Sequence, residues 1–127
     1  MKEELQDSLY KKYPKLFRQK DMSMQVTCMC WGVCCQDGWY WLIDMLCGCI
    51  QSYVDNNKKT QPEFGQVKQK YGSLRVYCDN SDTTIEGMIW FAEYMSYKIC
   101  EKCGSTKDIT HTKGYIRTLC KNCVTKH

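Results

Sequence analysis

Residues 100–104 read Cys-Glu-Lys-Cys-Gly and residues 119–123 read Leu-Cys-Lys-Asn-Cys. The two Cys-x-x-Cys pairs, Cys100/Cys103 and Cys120/Cys123, stand sixteen residues apart. This is the spacing of a tetrahedral four-cysteine zinc site, in which each pair closes a tight knuckle and the interval forms a hairpin. Gly104 supplies the backbone freedom a knuckle needs directly after its second ligand. Four thiolates at about 2.3 Å leave a Zn²⁺ ion no open position for water, so the expected ion is structural. Two disulfides or a redox pair are the other chemistries open to the same four cysteines. The sequence predicts a hairpin over residues 106–118 around Lys113-Gly114. Only four residues follow Cys123, so a zinc ribbon or a truncated treble clef is expected over residues 100–127.

Working outward, a chain of 127 residues suffices for one core, and a metal staple helps materially at that size. The expected fold is a small α+β domain: a core over residues 1–99, with helices packed on a β-hairpin, and the zinc unit of residues 100–127 packed against it. Eleven cysteines fit a secreted disulfide protein only with an export signal. The N-terminus lacks an apolar signal core, and no apolar run approaches the ~18 residues of a membrane span. A reducing cytosol and no membrane partner are therefore expected.

The net charge of +4 hides a segregation. Residues 1–20 carry six bases and three acids, 21–56 four acids and no base, 57–77 five bases and one acid, 78–97 four acids and no base, and 98–127 seven bases and two acids. If the three basic blocks share a side, they make a surface that attracts phosphate; dispersed, they are ordinary solvated charge.

In chain order, Leu5, Leu9 and Tyr13 predict a helix over residues 2–13 that Pro14 ends. Alternating Met22, Met24, Val26, Cys28 and Cys30 predict a strand reaching Trp31-Gly32. Cys28, Cys30, Cys34 and Cys35 could form a second metal site, but a Cys-x-Cys step and adjacent cysteines suit one tetrahedral ion poorly, and buried thiols are the favoured account. Asp37 is the expected N-cap of a helix running to about Asp55, with Trp39, Leu42, Ile43, Leu46, Ile50 and Tyr53 inward. Residues 61–79 read as a hairpin turning at Tyr71-Gly72-Ser73, with Leu74, Val76 and Cys78 inward and Arg75 and Tyr77 outward beside Lys68 and Lys70. Ser81 or Asp82 caps a further helix whose inward stripe is Ile85, Met88, Ile89, Ala92, Met95 and Ile99, with Trp90, Tyr94 and Tyr97 on a neighbouring face.

Several stretches together, Tyr13-Pro14-Lys15-Leu16-Phe17, Asp37-Gly38-Trp39-Tyr40, Lys70-Tyr71-Gly72-Ser73-Leu74-Arg75-Val76-Tyr77 and Ile99-Cys100-Glu101-Lys102-Cys103-Gly104, give the chain a resemblance. It resembles a family of small bacteriophage- and prophage-encoded proteins with a C-terminal four-cysteine zinc ribbon. The resemblance covers most of the chain, though the cysteine crowding at 28–35 looks peculiar to this member. It implies phage origin and the host cytoplasm, and no particular activity. Small phage proteins of this size often bind a host molecule, including nucleotide signals of host immunity.

Three functions compete on the residues. The favoured one is a non-enzymatic binder of a small nucleotide, with Arg75, Lys68 and Lys70 for phosphate and Trp39, Tyr40 and Tyr77 for the base. The second is a zinc protein that binds nucleic acid or a host protein. An enzyme ranks last. Only His111 and His127 offer imidazole bases, and no nucleophile can be placed beside either; Asp37 and Asp44 stand about 10 Å apart on a helix.

Overall fold

The structure is a computed structural model and describes residues 1–125. It is an α+β fold, as the sequence predicts. Helix α1 (Glu3–Lys12) leads through a single turn of 3₁₀ helix (Arg18–Asp21) and a second (Met29–Trp31) to a two-residue strand β1 (Val33–Cys34). A third such turn (Asp37–Trp39) opens helix α2 (Tyr40–Asn57). The hairpin β2 (Glu63–Lys70) and β3 (Ser73–Asp79) follows, then helix α3 (Thr83–Ser96). The C-terminal unit is β4 (Ile109–His111), β5 (Thr118–Cys120) and a short helix α4 (Lys121–Thr125).

The sheet order is β1-β2-β3, with β1 parallel to β2 and β2 antiparallel to β3. Its hairpin turns on Tyr71 and Gly72, both at positive φ (54° and 80°). That is the mirror-image turn whose twist matches paired strands, and it holds tyrosine in a conformation that side chains seldom adopt. Leu74 and Val76 point inward with Phe64 and Val67, and they join Leu42, Ile43, Leu46, Ile50, Ile85 and Ile89 in one core. Phe17 fills the end nearest α1, between the rings of Tyr10 at 5.1 Å and Phe64 at 5.3 Å. Both inward helical stripes are as expected, with Tyr53, Met88 and Met95 at their half-buried margins.

The free edges of the sheet are met by side chains. Gln6 Oε1 accepts the Val33 N–H at 2.8 Å on one side. On the other, α3 lies along β3, where Ser96 Oγ accepts the Leu74 N–H at 2.9 Å and a Glu93 carboxylate oxygen accepts the Val76 N–H at 3.0 Å.

Two local expectations need correction. Residues 22–31 are not a strand: Met24, Val26 and Cys28 are exposed, while Thr27 and Met29 are buried. Ser23 O accepts the N–H groups of Val26 and Thr27, and Thr27 Oγ1 accepts the Met29 N–H while donating to Gly65 O. Such hydroxyl-centred turns compete with strand formation and here win. Asp37 does not cap α2 either; its carboxylate accepts the Lys2 N–H at 2.8 Å. Asp82, by contrast, caps α3 through the Ile85 N–H at 2.9 Å.

Candidate metal centre and ligand surface

The first knuckle begins where α3 has ended. Ile99 is the last core residue, and Cys100 turns back so that its N–H donates to Ser105 O and its carbonyl accepts the Gly104 N–H. Gly104 has φ +85°, which closes this turn at no steric cost because it lacks a Cβ. The second knuckle forms where β5 delivers Cys120 into the start of α4, which carries Cys123. The hairpin β4–β5 spans the gap, with Ile109 opposite Cys120 and His111 opposite Thr118. Knuckle, hairpin and a short helix holding the last ligand make a truncated clef.

The Sγ atoms of Cys100, Cys103, Cys120 and Cys123 lie within 4.8 Å of one another, and Cys103 Sγ is 3.7 Å from Cys120 Sγ. A tetrahedron with Zn–S bonds of about 2.3 Å has edges of about 3.8 Å, so the four residues fit an ion such as zinc with little movement. Their thiols are poised unequally. Burial pushes Cys100 up, but the backbone N–H groups of Cys120, Cys103 and Lys102 outweigh it and bring the thiol down to about 7. Cys123 is pushed up to about 12 by burial and then by the sulfurs of Cys120 and Cys100. A dication must therefore displace protons, and acid must weaken its hold. Titrating metal-loaded protein downward from neutral pH against a chromogenic chelator is expected to show affinity falling continuously with acid, because protons compete with the metal for the thiolates.

No family model, curated protein or solved structure matches the chain.

The knuckle is seated on the core by an array of polar contacts that the sequence does not announce. Gly38 N–H donates to Glu101 O at 2.7 Å, and the Trp39 indole N–H donates to Ile99 O at 2.9 Å. The Glu101 side chain is buried: one oxygen accepts the Gln36 N–H at 3.0 Å, and Arg117 Nη2 lies 3.5 Å from the other as an ion pair without a hydrogen bond. Thr118 Oγ1 donates to Gly72 O at 2.6 Å, tying the zinc hairpin to the tip of β2–β3. A charged pair flanking cysteine knuckles looks solvent-facing in sequence, and only the docking against Gln36 reveals its burial.

The six candidate ligand residues separate into two groups. Trp39 is fully buried, and its indole presents no face to a ligand. Tyr40 faces α1, with its hydroxyl 2.8 Å from Ser8 Oγ and 3.4 Å from Lys12 Nζ. The other four share the hairpin. Lys68 is opposite Arg75 and Gln66 opposite Tyr77 on the outer face of the sheet, with Lys68 Nζ 6.0 Å from the Tyr77 ring centroid. Lys70 lies over Tyr71 at the tip, 5.7 Å from its centroid. Arg75 Nη1 stands 3.8 Å from a Glu93 carboxylate oxygen, a separation that leaves most of its donors free. Beside Tyr77 runs an open groove of about 330 Å³, walled by Gln19, Thr27, Gln66 and Asp79 among others.

The basic N-terminal block is largely paired: Lys12 with Asp44 at 3.1 Å, Arg18 with Glu63 at 2.6 Å and Lys20 with Asp21 at 2.6 Å. Among the described residues no group of three or more metal-ligating side chains besides the C-terminal four comes together, so Cys28, Cys30, Cys34 and Cys35 do not converge. Cys35 is buried, and burial pushes its thiol up to about 12, as suits an inert core group. His111 Nε2 lies 3.2 Å from Tyr97 O; His127 is outside the described residues. Among the described residues no helix is long and apolar enough to cross a membrane.

Proposed function

We propose that the protein is a non-catalytic binding protein that holds a small nucleotide on the outer face of its sheet, with zinc as a structural ion in the four-cysteine site. The observation that carries the reading is the adjacency of Lys68, Arg75 and Tyr77 on that face, beside the groove along Tyr77. Arg75 offers a planar fork of donors and Lys68 a point charge for phosphate, while the half-exposed Tyr77 ring offers a stacking face. The polarity of the groove sets the orientation. Asp79 follows Tyr77 along β3, and its carboxylate accepts from Gln19 Nε2 at 2.7 Å; a carboxylate there repels phosphate, so on this reading the phosphate lies toward Arg75 and the base toward Asp79. Trp39 and Tyr40 take no part. On this reading the protein works in the cytoplasm of a phage-infected host, and its ligand is a signalling nucleotide of that host, sequestered as an anti-defence measure.

Calorimetry of the zinc-loaded protein against a panel of mono- and dinucleotides tests the reading. Arg75→Ala and Tyr77→Ala are each expected to weaken binding by roughly tenfold or more, the worth of a charge-assisted hydrogen bond or an aromatic stack, with zinc content unchanged. The absence of binding to the intact protein by any of the panel removes it. A second reading, a nucleic-acid strand along the same face, is favoured by the continuation of base and ring to Lys70 and Tyr71 at the hairpin tip. Salt separates the two, because polynucleotide affinity collapses between low and physiological ionic strength.

A further inference from the structure

Helices α2 and α3 run antiparallel, with Cys49 Sγ 3.7 Å from Met88 Sδ and the Tyr53 hydroxyl donating to Asp82 at 2.6 Å. Among the described residues nothing covers their shared outward face. Trp41 is 58% exposed, Trp90 76%, Phe91 65% and Tyr94 62%. Scattered exposed apolar residues need no explanation, but a contiguous aromatic patch on a small domain marks an interaction surface.

The α3 side of this face has an order that names its occupant. Glu86, Trp90 and Tyr94 follow one another at intervals of four on α3, and Lys98 lies in the turn two residues past its end, so an acid, two rings and then a base run as a ridge along this side. A two-fold axis through the middle of this ridge lays a second copy antiparallel upon it. Trp90 then meets the other copy's Tyr94, and Glu86 meets the other copy's Lys98, each contact occurring twice. Among the described residues neither Glu86 nor Lys98 has an ion-pair partner within the chain, and the Glu86 carboxylate accepts from the Ser81 hydroxyl with its other oxygen open. The two acids beside the ridge are turned away from it: Glu93 toward Val76 N and Asp44 toward Lys12 and Tyr13.

Shape and area agree with this occupant. Gly87, Trp90, Phe91 and Tyr94 frame a hollow of about 250 Å³, and a Cβ at Gly87 would meet nothing within 4 Å. The next groove, between α2 and α3 beside Phe91, has the same volume, and each has room for one large side chain from a facing copy. With ~150–250 Å² per aromatic, the four exposed rings alone supply roughly 400–650 Å² per copy. Met45 and Cys49 extend the patch toward the ~800 Å² per partner of a stable interface.

We infer that the protein is an isologous homodimer joined through antiparallel packing of α3 on α3, with the Trp90–Tyr94 ridge at its centre and Glu86–Lys98 pairs at its ends. The outer sheet face and the zinc site take no part in this contact, so the inference is independent of the ligand reading.

Sedimentation of the zinc-loaded full chain tests it. A dimer is expected, with a dissociation constant in the micromolar range or below. Trp90→Ala removes an exposed ring at the centre and is expected to weaken association by about thirtyfold or more, with zinc content and circular dichroism unchanged. Lys98→Glu sets two carboxylates against each other and is also expected to weaken it, while the exchange Glu86→Lys with Lys98→Glu restores it. Alkylation of Cys49 is expected to slow in the dimer relative to the Trp90→Ala monomer. A wild-type chain that stays monomeric at about 0.1 mM overturns the inference, as does a dimer indifferent to Trp90→Ala. A charge exchange that fails to restore what Lys98→Glu lost overturns the antiparallel register.

Discussion

Cys103→Ser is expected to abolish stable zinc binding and to unfold the β4–β5 unit while α2 and α3 remain folded. The reason is the size of what the metal holds together. The C-terminal unit has a private core of Cys100, Leu119, Cys120 and Cys123, with Ile109 and Val124 packed at its margin. Three of those four buried residues are themselves ligands, so a chain of this length cannot keep the unit closed by apolar burial alone. Structural zinc contributes on the order of 10–16 kcal/mol of apparent binding free energy in small domains, and most of that depends on all four thiolates. Metal analysis is expected to fall from one zinc per chain to none. Hydrogen exchange is expected to lose protection at Glu101, whose N–H donates to Thr118 O, and at Thr112, whose N–H donates to Arg117 O. The main core keeps its protection because its helices and sheet share a separate cluster. A Cys103→Ser protein that still binds one equivalent of zinc would overturn this account.

Gly38→Ala is expected to be the most damaging single methyl in the chain, at a cost of about 3–5 kcal/mol, the upper range for a point substitution. An added Cβ at residue 38 would lie 2.1 Å from Cys100 O and 2.5 Å from Glu101 O. Both are backbone atoms of the first knuckle, and neither can rotate away. The methyl must push the knuckle off the start of α2, which breaks the Gly38 N–H bond to Glu101 O and strains the indole bond of Trp39 to Ile99 O. Gly87→Ala provides the internal comparison. Gly87 is a helical residue on α3 with open space around its Cβ position, so alanine there is expected to stabilise the monomer by about 0.5–1 kcal/mol. Denaturant midpoints of the two zinc-loaded variants measure the contrast directly, and equal midpoints would mean that the knuckle is not seated on α2.

The features that sequence carried well are those with a local cause. The cysteine spacing holds the geometry of the metal site, because two knuckles and a hairpin are each short-range objects. The stripes Leu42/Ile43/Leu46/Ile50 and Ile85/Ile89/Ala92 declare their helices by period alone, and alternation at Leu74, Val76 and Cys78 gives the faces of β3. The failures have the opposite character. The alternation of Met22, Met24 and Val26 looks like a strand, but turns at Ser23 and Thr27 take its backbone groups, and the Thr27 hydroxyl fixes those turns in place through Gly65, thirty-eight residues away. The same holds for β1, whose two residues become a strand only by lying parallel to Val67 and Lys68. Trp39 has the residue type of a stacking platform, and its period assigns it equally to the core; the carbonyl of Ile99 decides between them. Burial of Glu101 with Arg117 is legible nowhere in sequence, since it depends on how the knuckle docks.

The side chains along the sheet margins have a consequence for how this protein can fail. A three-stranded sheet with bare margins is a template on which another chain can add strands without limit, the route by which small β-rich proteins become fibrils. Here Gln6 occupies the Val33 N–H on one margin, and Ser96 and Glu93 occupy those of Leu74 and Val76 on the other. Strand addition must first evict a carboxylate and a hydroxyl delivered by a helix that is itself anchored in the core through Ile85, Ile89 and Ala92. A chain rich in cysteine and methionine thereby keeps its most dangerous template shut for as long as α3 stays in place.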